Sequence, residues 1–341
     1  MQNVIAEIGK NFITTREEQS QEVLLENAKK LIDSAKECGA KVVKFQIHGD
    51  DEIHPQANLI SPHFSVDRLS WVSRCSLPAS WWSQVKDYCT EVRLEFLATP
   101  MSRGAAELLD DLGVDRWKIG SADITDFVLL DYIRDSGKPV IFSTGMSMLS
   151  EIKNAYDYLS EKVEDITILH CVSQYPCKLE DLNLATIPFL KEKFPDAKIG
   201  FSSHCLDTKG ILIAATLGIE VVEAHFTLDR NAFGPDHKVS LLPEEMKSLL
   251  NMLNANFIMP GYIGNESCFG IKTKFIQEEE MQYRKVFKKR LFASRDIKIG
   301  EMWERDMLYA MRAESGRDVG LYKTIVGTFT TKDYKQYETI S

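Results

Sequence analysis

The segment VVEAHFTLDRNAFGPDH, residues 221–237, joins a strand-forming start to side chains that can do chemistry. Its valines favour a buried strand, but Glu223 and His225 follow two residues apart, so both project from the same face. A carboxylate and an imidazole on an inward face are costly to bury without partners. Side chains of these types transfer protons or bind divalent cations. The segment therefore predicts a polar site at the end of a strand, next to a loop that carries Asp236.

Polar side chains also follow the other apolar runs of the sequence, at the point where each run ends. They are Glu7, Lys44, Gln46, Thr99, Lys118, Ser121, Ser143, Thr144, Ser173, Ser202 and His204. A single inward lysine or histidine would mean little, because such groups are often satisfied structural residues. In a parallel barrel all strand ends meet on one face, where active sites of that architecture lie. Because polar side chains stand at nearly every strand end, the sequence predicts one shared site.

Eight apolar or β-branched runs are the elements that must position these side chains. They span residues 4–9, 41–48, 95–100, 116–122, 139–144, 166–172, 198–204 and 221–226. Amphipathic helical patterns separate them, such as VLLENAKKLIDSAKECG with its closing glycine. Eight strands, each followed by a helix, within roughly 255 residues are typical of an α/β (β/α)8 TIM barrel. A doubly wound sheet is the alternative.

One connection is longer than the others. Residues 49–78 exceed the ordinary length of a loop between a strand and a helix. We therefore expect a functional loop or a covering lid there.

Two lysines among the strand-end residues suit a small anionic substrate. Lys44 and Lys118 bring two cations together with the hydroxyls of Ser121, Ser143 and Ser202. Lysine and hydroxyl donors bind phosphate and carboxylate groups through charge-assisted hydrogen bonds. No Walker loop or GxGxxG fingerprint in the sequence competes for this role. The pattern predicts a ligand that carries both a phosphate and a carboxylate.

Two histidines indicate a metal site on the same face. His204 and His225 end the seventh and eighth strand candidates, which are neighbours in a barrel. Either histidine alone is more often a hydrogen-bonded core residue. As a pair, their imidazoles can meet on one divalent cation, with the carboxylates of Glu7 and Asp236 nearby.

The composition limits the partners that the chain can have. The 341 residues include 41 lysines and arginines against 50 aspartates and glutamates, a net charge of −9. This balance argues against a general affinity for nucleic acid or anionic membranes. No apolar run approaches the length of a membrane span, and the first residues lack the features of a signal peptide. Seven cysteines without CxxC spacing suit a reducing compartment. We expect a cytoplasmic protein.

The ordered motifs along the chain resemble those of the sialic acid synthase (N-acetylneuraminate synthase) family. The matching stretches are AEIGKN, VVKFQIH, ATPMS, WKIGSAD, STGM, HCVSQYP, GFSSH, EAHFTLDR and GPDHKVSL. Residues 290–316, RLFASRDIKIGEMWERDMLYAMRAESG, are similar to the antifreeze-like (SAF) domain at the carboxyl terminus of these synthases. The resemblance implies a TIM-barrel synthase domain over 1–258, a linker over 259–285 and a small antifreeze-like domain over 286–341.

The resemblance also implies an activity, the metal-dependent condensation of phosphoenolpyruvate with an N-acetylated hexose such as N-acetylmannosamine. The products are a nine-carbon 2-keto (sialic) acid and inorganic phosphate. By resemblance, the residues that bind phosphoenolpyruvate are Lys44, Gln46, Lys118, Ser121, Ser143 and Ser202. Those that bind the metal, Mn²⁺ or Mg²⁺, are His204 and His225. Glu7 and Asp236 are the expected catalytic carboxylates, and the sugar side includes Ser173, Tyr175, Asp236 and Arg312.

The resemblance further implies a homodimer in which the antifreeze-like domain of one subunit offers Arg312 to the barrel of the other. Two features depart from the family pattern. Arg312 is followed by alanine and glutamate where the family has proline and glycine. Asn11 is followed by Phe12 where the family commonly has histidine. An apolar ring near the mouth, together with the long 49–78 segment, predicts an altered sugar preference.

Two other functions fit part of this pattern. Another phosphoenolpyruvate-dependent synthase, acting on an aldose phosphate, would share the barrel and the metal. A non-catalytic sugar-binding or spore-coat assembly protein would keep the fold without turnover, but such a protein has no need of both metal and phosphate residues. Among acetamido sugars, N-acetylmannosamine, its 6-phosphate and diacetamido-trideoxyhexoses stay open. The sequence lacks a second obvious basic cluster, which disfavours the 6-phosphate.

Overall fold

Eight parallel strands form the central barrel of the protein. The structure, a computed structural model, describes residues 3–255 and 266–340. Numbered in chain order, the barrel strands are β1 (Asn3–Gly9), β2 (Val42–Ile47), β5 (Glu95–Pro100), β6 (Trp117–Ile119), β7 (Val140–Ser143), β8 (Ile166–Cys171), β9 (Lys198–Ser203) and β10 (Val221–His225). They pair in the order β5-β2-β1-β10-β9-β8-β7-β6, and β5 contacts β6, so the sheet nearly closes. The predicted TIM barrel is confirmed, and the doubly wound alternative is wrong.

Helices connect successive barrel strands and cover the outside of the barrel. They are α1 (Gln21–Cys38), α3 (Ala79–Glu91), α4 (Arg103–Asp111), α5 (Phe127–Asp135), α6 (Leu149–Leu159), α7 (Thr186–Lys193), α8 (Lys209–Thr216) and α9 (Pro243–Asn254). Helix α1 begins after Ser20, which accepts a hydrogen bond from the backbone N–H of Val23, and ends at Gly39. Gly39 adopts a left-handed conformation with φ 98°, which glycine tolerates at little cost. None of the described helices is long and apolar enough to cross a membrane.

The barrel interior explains why polar side chains gather at one end. A buried apolar cluster is formed by Ile5, Val42, Leu97, Ile141, Leu169 and Val221. Side chains of a strand alternate between its two faces, so the next inward residue lies two positions later. Those next residues are Glu7, Lys44, Thr99, Ser143, Cys171 and Glu223. The strand register places Glu7 beside Lys44 on one side and beside His225 on the other.

The long segment between β2 and α3 carries its own secondary structure. Strands β3 (Ile60–Ser61) and β4 (Phe64–Asp67) form an antiparallel hairpin, and helix α2 (Arg68–Cys75) follows. The hairpin packs on α2 through Phe64 and Trp71, whose ring centroids lie 5.0 Å apart. Residues of the hairpin and of α2 line the mouth of the barrel, as the length of the segment predicts for a functional loop.

The carboxyl-terminal part of the chain packs on the same end of the barrel. Of the predicted linker, residues 259–265 and the boundary after 258 lie outside the described residues. The later part of the linker enters helix α10 (Glu278–Phe287). Strands β11 (Lys289–Ala293), β12 (Leu308–Arg312) and β13 (Arg317–Asp318) then pair antiparallel in the order β12-β11-β13, and helix α11 (Tyr322–Ile325) follows. The domain boundaries and the antifreeze-like assignment stay predictions.

Candidate active site

A cavity at the carboxyl ends of the barrel strands collects nearly all of the predicted site residues. Its lining includes Glu7, Lys44, Gln46, Lys118, Ser121, Ser143, Tyr175, Ser202, His204, His225, Asp236 and Arg312. Ser173 is the exception among the predicted residues. Its side chain is fully buried, and its Oγ occupies the space that a side chain at Gly145 would need. The strand pattern of the sequence thus identified most of the residues that meet in the cavity. The role of each residue stays a prediction.

Two buried ammonium groups share one carboxylate at the floor of the cavity. Lys44 Nζ lies 2.7 Å from Glu7 Oε2 and 3.8 Å from Glu223 Oε2. Lys118 Nζ lies 3.6 Å from Glu223 Oε1 and donates a hydrogen bond to Ser143 Oγ at 2.7 Å. Burial lowers the pKa of Lys118. Burial alone would raise the pKa of Glu223, but the two lysines lower it. Glu223 thus offsets the cost of burying two cations together.

A second polar chain runs along the cavity from Glu7 to Asp236. Gln46 Nε2 donates to Glu7 Oε1 at 2.7 Å, and Gln46 Oε1 accepts from Lys10 Nζ. Lys10 Nζ lies 3.4 Å from Asp236 Oδ2. Burial alone would raise the pKa of Asp236, but Lys10 and His225 lower it far below its usual range. Asp236 is therefore an ionised acceptor for a ligand hydroxyl. Sequence reasoning missed Lys10, although it directly follows β1 in the AEIGKN motif.

The imidazoles of His204 and His225 face each other at neighbouring strand ends. Their ring centroids lie 5.5 Å apart. His204 Nδ1 lies 2.9 Å from the Val172 carbonyl oxygen, so a proton on Nδ1 leaves Nε2 available as a ligand. His225 Nδ1 is buried without a hydrogen-bond partner among the described residues. No group of three or more His, Cys, Asp and Glu side chains in 3–255 and 266–340 is arranged for a metal ion. The pair fits a cation whose other ligands are water or substrate oxygens.

Aromatic rings line the wall that runs from His204 toward solvent. Tyr175 packs on His204, with ring centroids 4.2 Å apart. His63, at the tip of the β3–β4 hairpin, stacks on Tyr175 at 4.7 Å with 14° between the ring planes. Tyr283 of α10 contacts both Tyr175 and His63, at 5.4 and 5.5 Å. The sequence does not single out His63, because the irregular 49–78 segment has no periodicity that shows where its side chains point.

Arg312 lies fully buried above the barrel, and its ion-pair partners belong to the same chain. Its Nη1 lies 2.6 Å from Glu52 Oε1, and its Nη2 lies 3.1 Å from Asp123 Oδ1. Lys289, also from the carboxyl-terminal part, lies 3.2 Å from Asp123 Oδ1. The resemblance implies that a second subunit supplies Arg312; in the single chain described, β12 brings it to its own barrel. The Nε atom of Arg312 is left without a hydrogen-bond partner among the described residues.

Phe12 does not line the cavity, which corrects the expectation of an apolar ring near the mouth. The ring is fully buried. It packs against Trp81 and Trp82 of α3, with ring centroids 5.1 and 6.1 Å away, and against Phe45 of β2 at 6.4 Å. Phe12 therefore belongs to the core between barrel and helices, and it cannot contact a sugar there.

Known proteins share this sequence over most of its length. The NeuB family model matches residues 31–263. The N,N'-diacetyllegionaminic acid synthase of Campylobacter jejuni is 33% identical over 325 residues, which cover 92% of this chain and 93% of that protein. The human (Homo sapiens) N-acetylneuraminate-9-phosphate synthase is 31% identical over 312 residues, covering 89% and 81%.

A solved structure shares the whole architecture. The spore coat polysaccharide biosynthesis protein spsE of Bacillus subtilis superposes with a TM-score of 0.80 at 30% identity, over 99% of this chain and 93% of that one. A truncated 3-deoxy-D-arabino-heptulosonate 7-phosphate synthase of Thermotoga maritima, with a TM-score of 0.52 at 16% identity over 75% and 86% of the two chains, shares the fold alone. Since the family model spans more than half of its length and several relatives match nearly all of it, the chain belongs to the NeuB family.

Proposed function

We propose that this protein condenses phosphoenolpyruvate with an uncharged N-acetylated hexose, N-acetylmannosamine or a relative, to give a nine-carbon 2-keto acid and inorganic phosphate. The observation that carries the proposal is the meeting of two buried lysines, a carboxylate and two imidazoles in one cavity. The names of the relatives support it, since they describe synthases of a diacetylated legionaminic acid and of N-acetylneuraminate-9-phosphate.

The donor site of the proposal is built from Lys44, Lys118 and the hydroxyls beside them. Ser143 Oγ accepts from Lys118, and Ser202 Oγ lies 3.3 Å from Glu223 Oε1. The phosphate and carboxylate of phosphoenolpyruvate would compete with Glu223 for the two ammonium groups. Because these charges are buried, the hydrogen bonds that the donor gains are stronger than they would be in water.

The acceptor site of the proposal lies beside the histidine pair. His204 and His225 would hold the divalent cation, Mn²⁺ or Mg²⁺. Bound there, the cation would supply Lewis acidity to the aldehyde oxygen of the acceptor. Asp236 would accept a hydrogen bond from a sugar hydroxyl and so orient the acceptor. Tyr175 would cover one face of the sugar, since its ring already packs against His204.

Glu7 is our choice for the group that takes the proton from the attacking water. Condensation forms a bond between carbon 3 of phosphoenolpyruvate and the aldehyde carbon, and it leaves carbon 2 electron-poor. The aldehyde oxygen takes up a proton, and water adds to carbon 2 and releases one, which gives a tetrahedral intermediate. The bond from carbon 2 to the phosphate oxygen then breaks, as the hydroxyl on carbon 2 becomes the keto group and its proton goes to the departing phosphate. Gln46 and Lys44 hold the two oxygens of Glu7 at 2.7 Å each. A carboxylate held this way accepts the proton and stabilises positive charge at carbon 2.

The acceptor is proposed to be uncharged because the other cations of the cavity already have carboxylate partners. Lys10 is paired with Asp236 at 3.4 Å. Arg312 and Arg68 share Glu52, at 2.6 and 3.5 Å. A sugar phosphate would have to displace one of these pairs, and drawing Lys10 away would leave the buried carboxylate of Asp236 without its cation, at a cost of about 3–5 kcal/mol. This argument disfavours N-acetylmannosamine 6-phosphate.

The deciding measurement is phosphate release from phosphoenolpyruvate with Mn²⁺ or Mg²⁺ across a panel of acetamido hexoses and their 6-phosphates. We expect release with an uncharged acetamido hexose, and its loss with chelator, with His204→Ala and with His225→Ala. His54→Ala changes a histidine outside the cavity lining and serves as the matched control. Release with arabinose or erythrose phosphate alone would contradict the proposal in favour of the aldose-phosphate synthase. Tight sugar binding by folded, metal-loaded protein without any release would favour a binding protein.

We also propose that the protein is a homodimer, because the family that it resembles implies one. In such a dimer the carboxyl-terminal part of each subunit would cover the barrel of the other and exclude water from the cavity. Sedimentation at micromolar concentration should give a dimer, and a monomeric profile would contradict it.

A further inference from the structure

One imidazole that lines the cavity, that of His63, takes no part in the proposed condensation. His63, at the tip of the β3–β4 hairpin, lines the cavity together with Tyr175. Its Nδ1 atom is buried and has no hydrogen-bond partner in the described part of the chain. A buried polar atom left this way destabilises the cavity. A ligand in the cavity is a partner that would remove this destabilisation.

Packing fixes the orientation of the His63 ring. It stacks on Tyr175 at 4.7 Å and lies tilted against Tyr283 at 5.5 Å. Tyr175 in turn packs on His204, which faces His225. The rings form a wall that begins at the proposed cation site and ends at His63. An acceptor whose aldehyde lies at the histidine pair would extend along this wall, with its remote end at His63.

The base of the hairpin is fixed as well. Arg68, the first residue of α2, donates from Nη1 to Ser61 Oγ at 3.2 Å, so it ties the two ends of the hairpin together. Its guanidinium also lies over the Phe287 ring, 4.6 Å from the centroid. A side chain on a rigid support discriminates between ligands better than one on a mobile loop.

The surroundings keep the His63 ring uncharged near neutral pH. Burial lowers its pKa to about 4; Asp236 opposes this effect, while Lys10 and Arg68 add to it. A neutral imidazole has one donor and one acceptor nitrogen. It therefore pairs with a hydroxyl or an amide and has no charge with which to attract an anion.

We propose that His63 is a specificity-determining residue whose Nδ1 forms a hydrogen bond with an uncharged substituent, a hydroxyl or an acylamino group, at the end of the acceptor sugar remote from the aldehyde. The proposal rests on the proposed function and deepens it. It also makes the long 49–78 segment part of the acceptor site, in place of the apolar ring of Phe12 that the sequence suggested.

The substitution that tests this role is His63→Phe, which keeps a flat ring to stack on Tyr175 and removes both nitrogens. We expect the KM for the acceptor to rise about tenfold, as for the loss of one hydrogen bond. The KM for phosphoenolpyruvate should stay within about twofold, because the donor site is untouched. His63→Asn keeps a polar group and should recover part of the loss. Ser65→Ala, at an exposed position of the same hairpin, is the control and should change neither constant.

A second comparison separates direct recognition from a structural effect. For an acceptor that lacks the remote substituent bound by His63, such as a 4-deoxy or 6-deoxy analogue of the acetamido hexose, the wild type and His63→Phe should have the same KM. An unchanged acceptor KM with His63→Phe, an equal penalty for every acceptor, or a parallel rise in the donor KM would overturn the role of His63 alone. A wild-type protein that releases no phosphate with any acceptor would overturn the proposed function, and this inference with it.

Discussion

Single residues of the cavity carry buried charges, and opposite charges neutralise them. Glu223 lies between Lys44 and Lys118, at 3.8 and 3.6 Å, although the strand that carries it reads as apolar. Without that carboxylate, two ammonium groups would be buried side by side. If the proposed donor binds here, its phosphate and carboxylate oxygens would take over the ammonium groups that Glu223 holds in its absence.

Lys118→Met tests this exchange. The Kd for phosphoenolpyruvate should rise by about 10- to 100-fold, because a hydrogen bond to a charged group is worth about 1.5–3 kcal/mol. Stability should change little, since burial already disfavours the charged form of this lysine and lowers its pKa. For the same reason, the donor affinity of the wild type should fall as pH rises toward the ordinary lysine range, and that of the variant should not.

Calorimetric titration and thermal unfolding measure both effects. Lys36→Met, at an exposed position of α1, is the matched control and should bind the donor as the wild type does. Unchanged donor affinity in Lys118→Met would contradict the assignment of Lys118 to the donor site.

Two elements above the barrel, the 49–78 segment and the carboxyl-terminal sheet, are joined by a buried ion-pair network. Glu52 is fully buried and contacts His48, Arg68 and Arg312. The backbone N–H of Arg312 also donates to the Glu52 carbonyl oxygen at 2.8 Å. Each element therefore depends on the other for its position at the mouth.

Arg312→Met should destabilise the protein at neutral pH by about 3–5 kcal/mol, because it leaves the carboxylates of Glu52 and Asp123 buried without the guanidinium. Denaturant unfolding measures the loss. Arg317→Met, at an exposed position of β13, should unfold like the wild type. Equal stability of Arg312→Met and the wild type would show that the network contributes nothing.

The pH dependence of the stability difference between the wild type and Arg312→Met follows from the ionisation of Glu52. Burial alone would raise its pKa, but His48 and Arg312 lower it far below the ordinary value of 4.5. A carboxylate with a lowered folded pKa stabilises the protein above its unfolded pKa, and the contribution is lost only as pH falls through the folded pKa. The stability gap between the wild type and Arg312→Met should therefore stay constant from about pH 8 to about pH 5. Denaturant unfolding of both proteins at each pH measures this stability difference. A difference that disappears between about pH 8 and about pH 5 would refute the assignment of Glu52 as an ionised partner of Arg312.

At the scale of the whole molecule, the carboxyl-terminal part of the chain covers the mouth of the barrel. Contacts such as the hydrogen bond from Asn58 N to Glu314 Oε1, at 2.7 Å, seat it there. A segment exchanged between subunits makes the same contacts with the partner that it makes with its own chain. The contacts described here are thus compatible with the dimer that the resemblance implies.

A chain that carries both Asn58→Cys and Glu314→Cys distinguishes the two arrangements. Both positions are exposed, and the native cysteines of the described chain are all buried. With a short thiol cross-linker we expect a covalent dimer on a denaturing gel, because the resemblance implies exchanged subunits. A cross-linked monomer would show that each chain covers its own barrel. Each single variant is the control and should give neither product.

Local patterns in the sequence were enough to predict the barrel and most of the cavity lining. Strand and helix periods are properties of neighbouring residues, so the eight strands could be located without a structure. Side chains also alternate along a strand, which made the inward position of residues such as Lys44, Lys118 and Glu223 predictable. Convergence of the strand ends then follows from the barrel itself.

Tertiary structure alone decided the rest, because it depends on contacts between residues far apart in the chain. Phe12 follows β1 as a candidate mouth residue, but the tryptophans of α3 draw it into the core. His63 lies in a segment without periodicity, and only the hairpin brings it onto Tyr175. The ion pairs of Arg312 join residues that are distant in sequence. No local pattern encodes such pairings, since burial and charge compensation are settled only when the whole chain has folded.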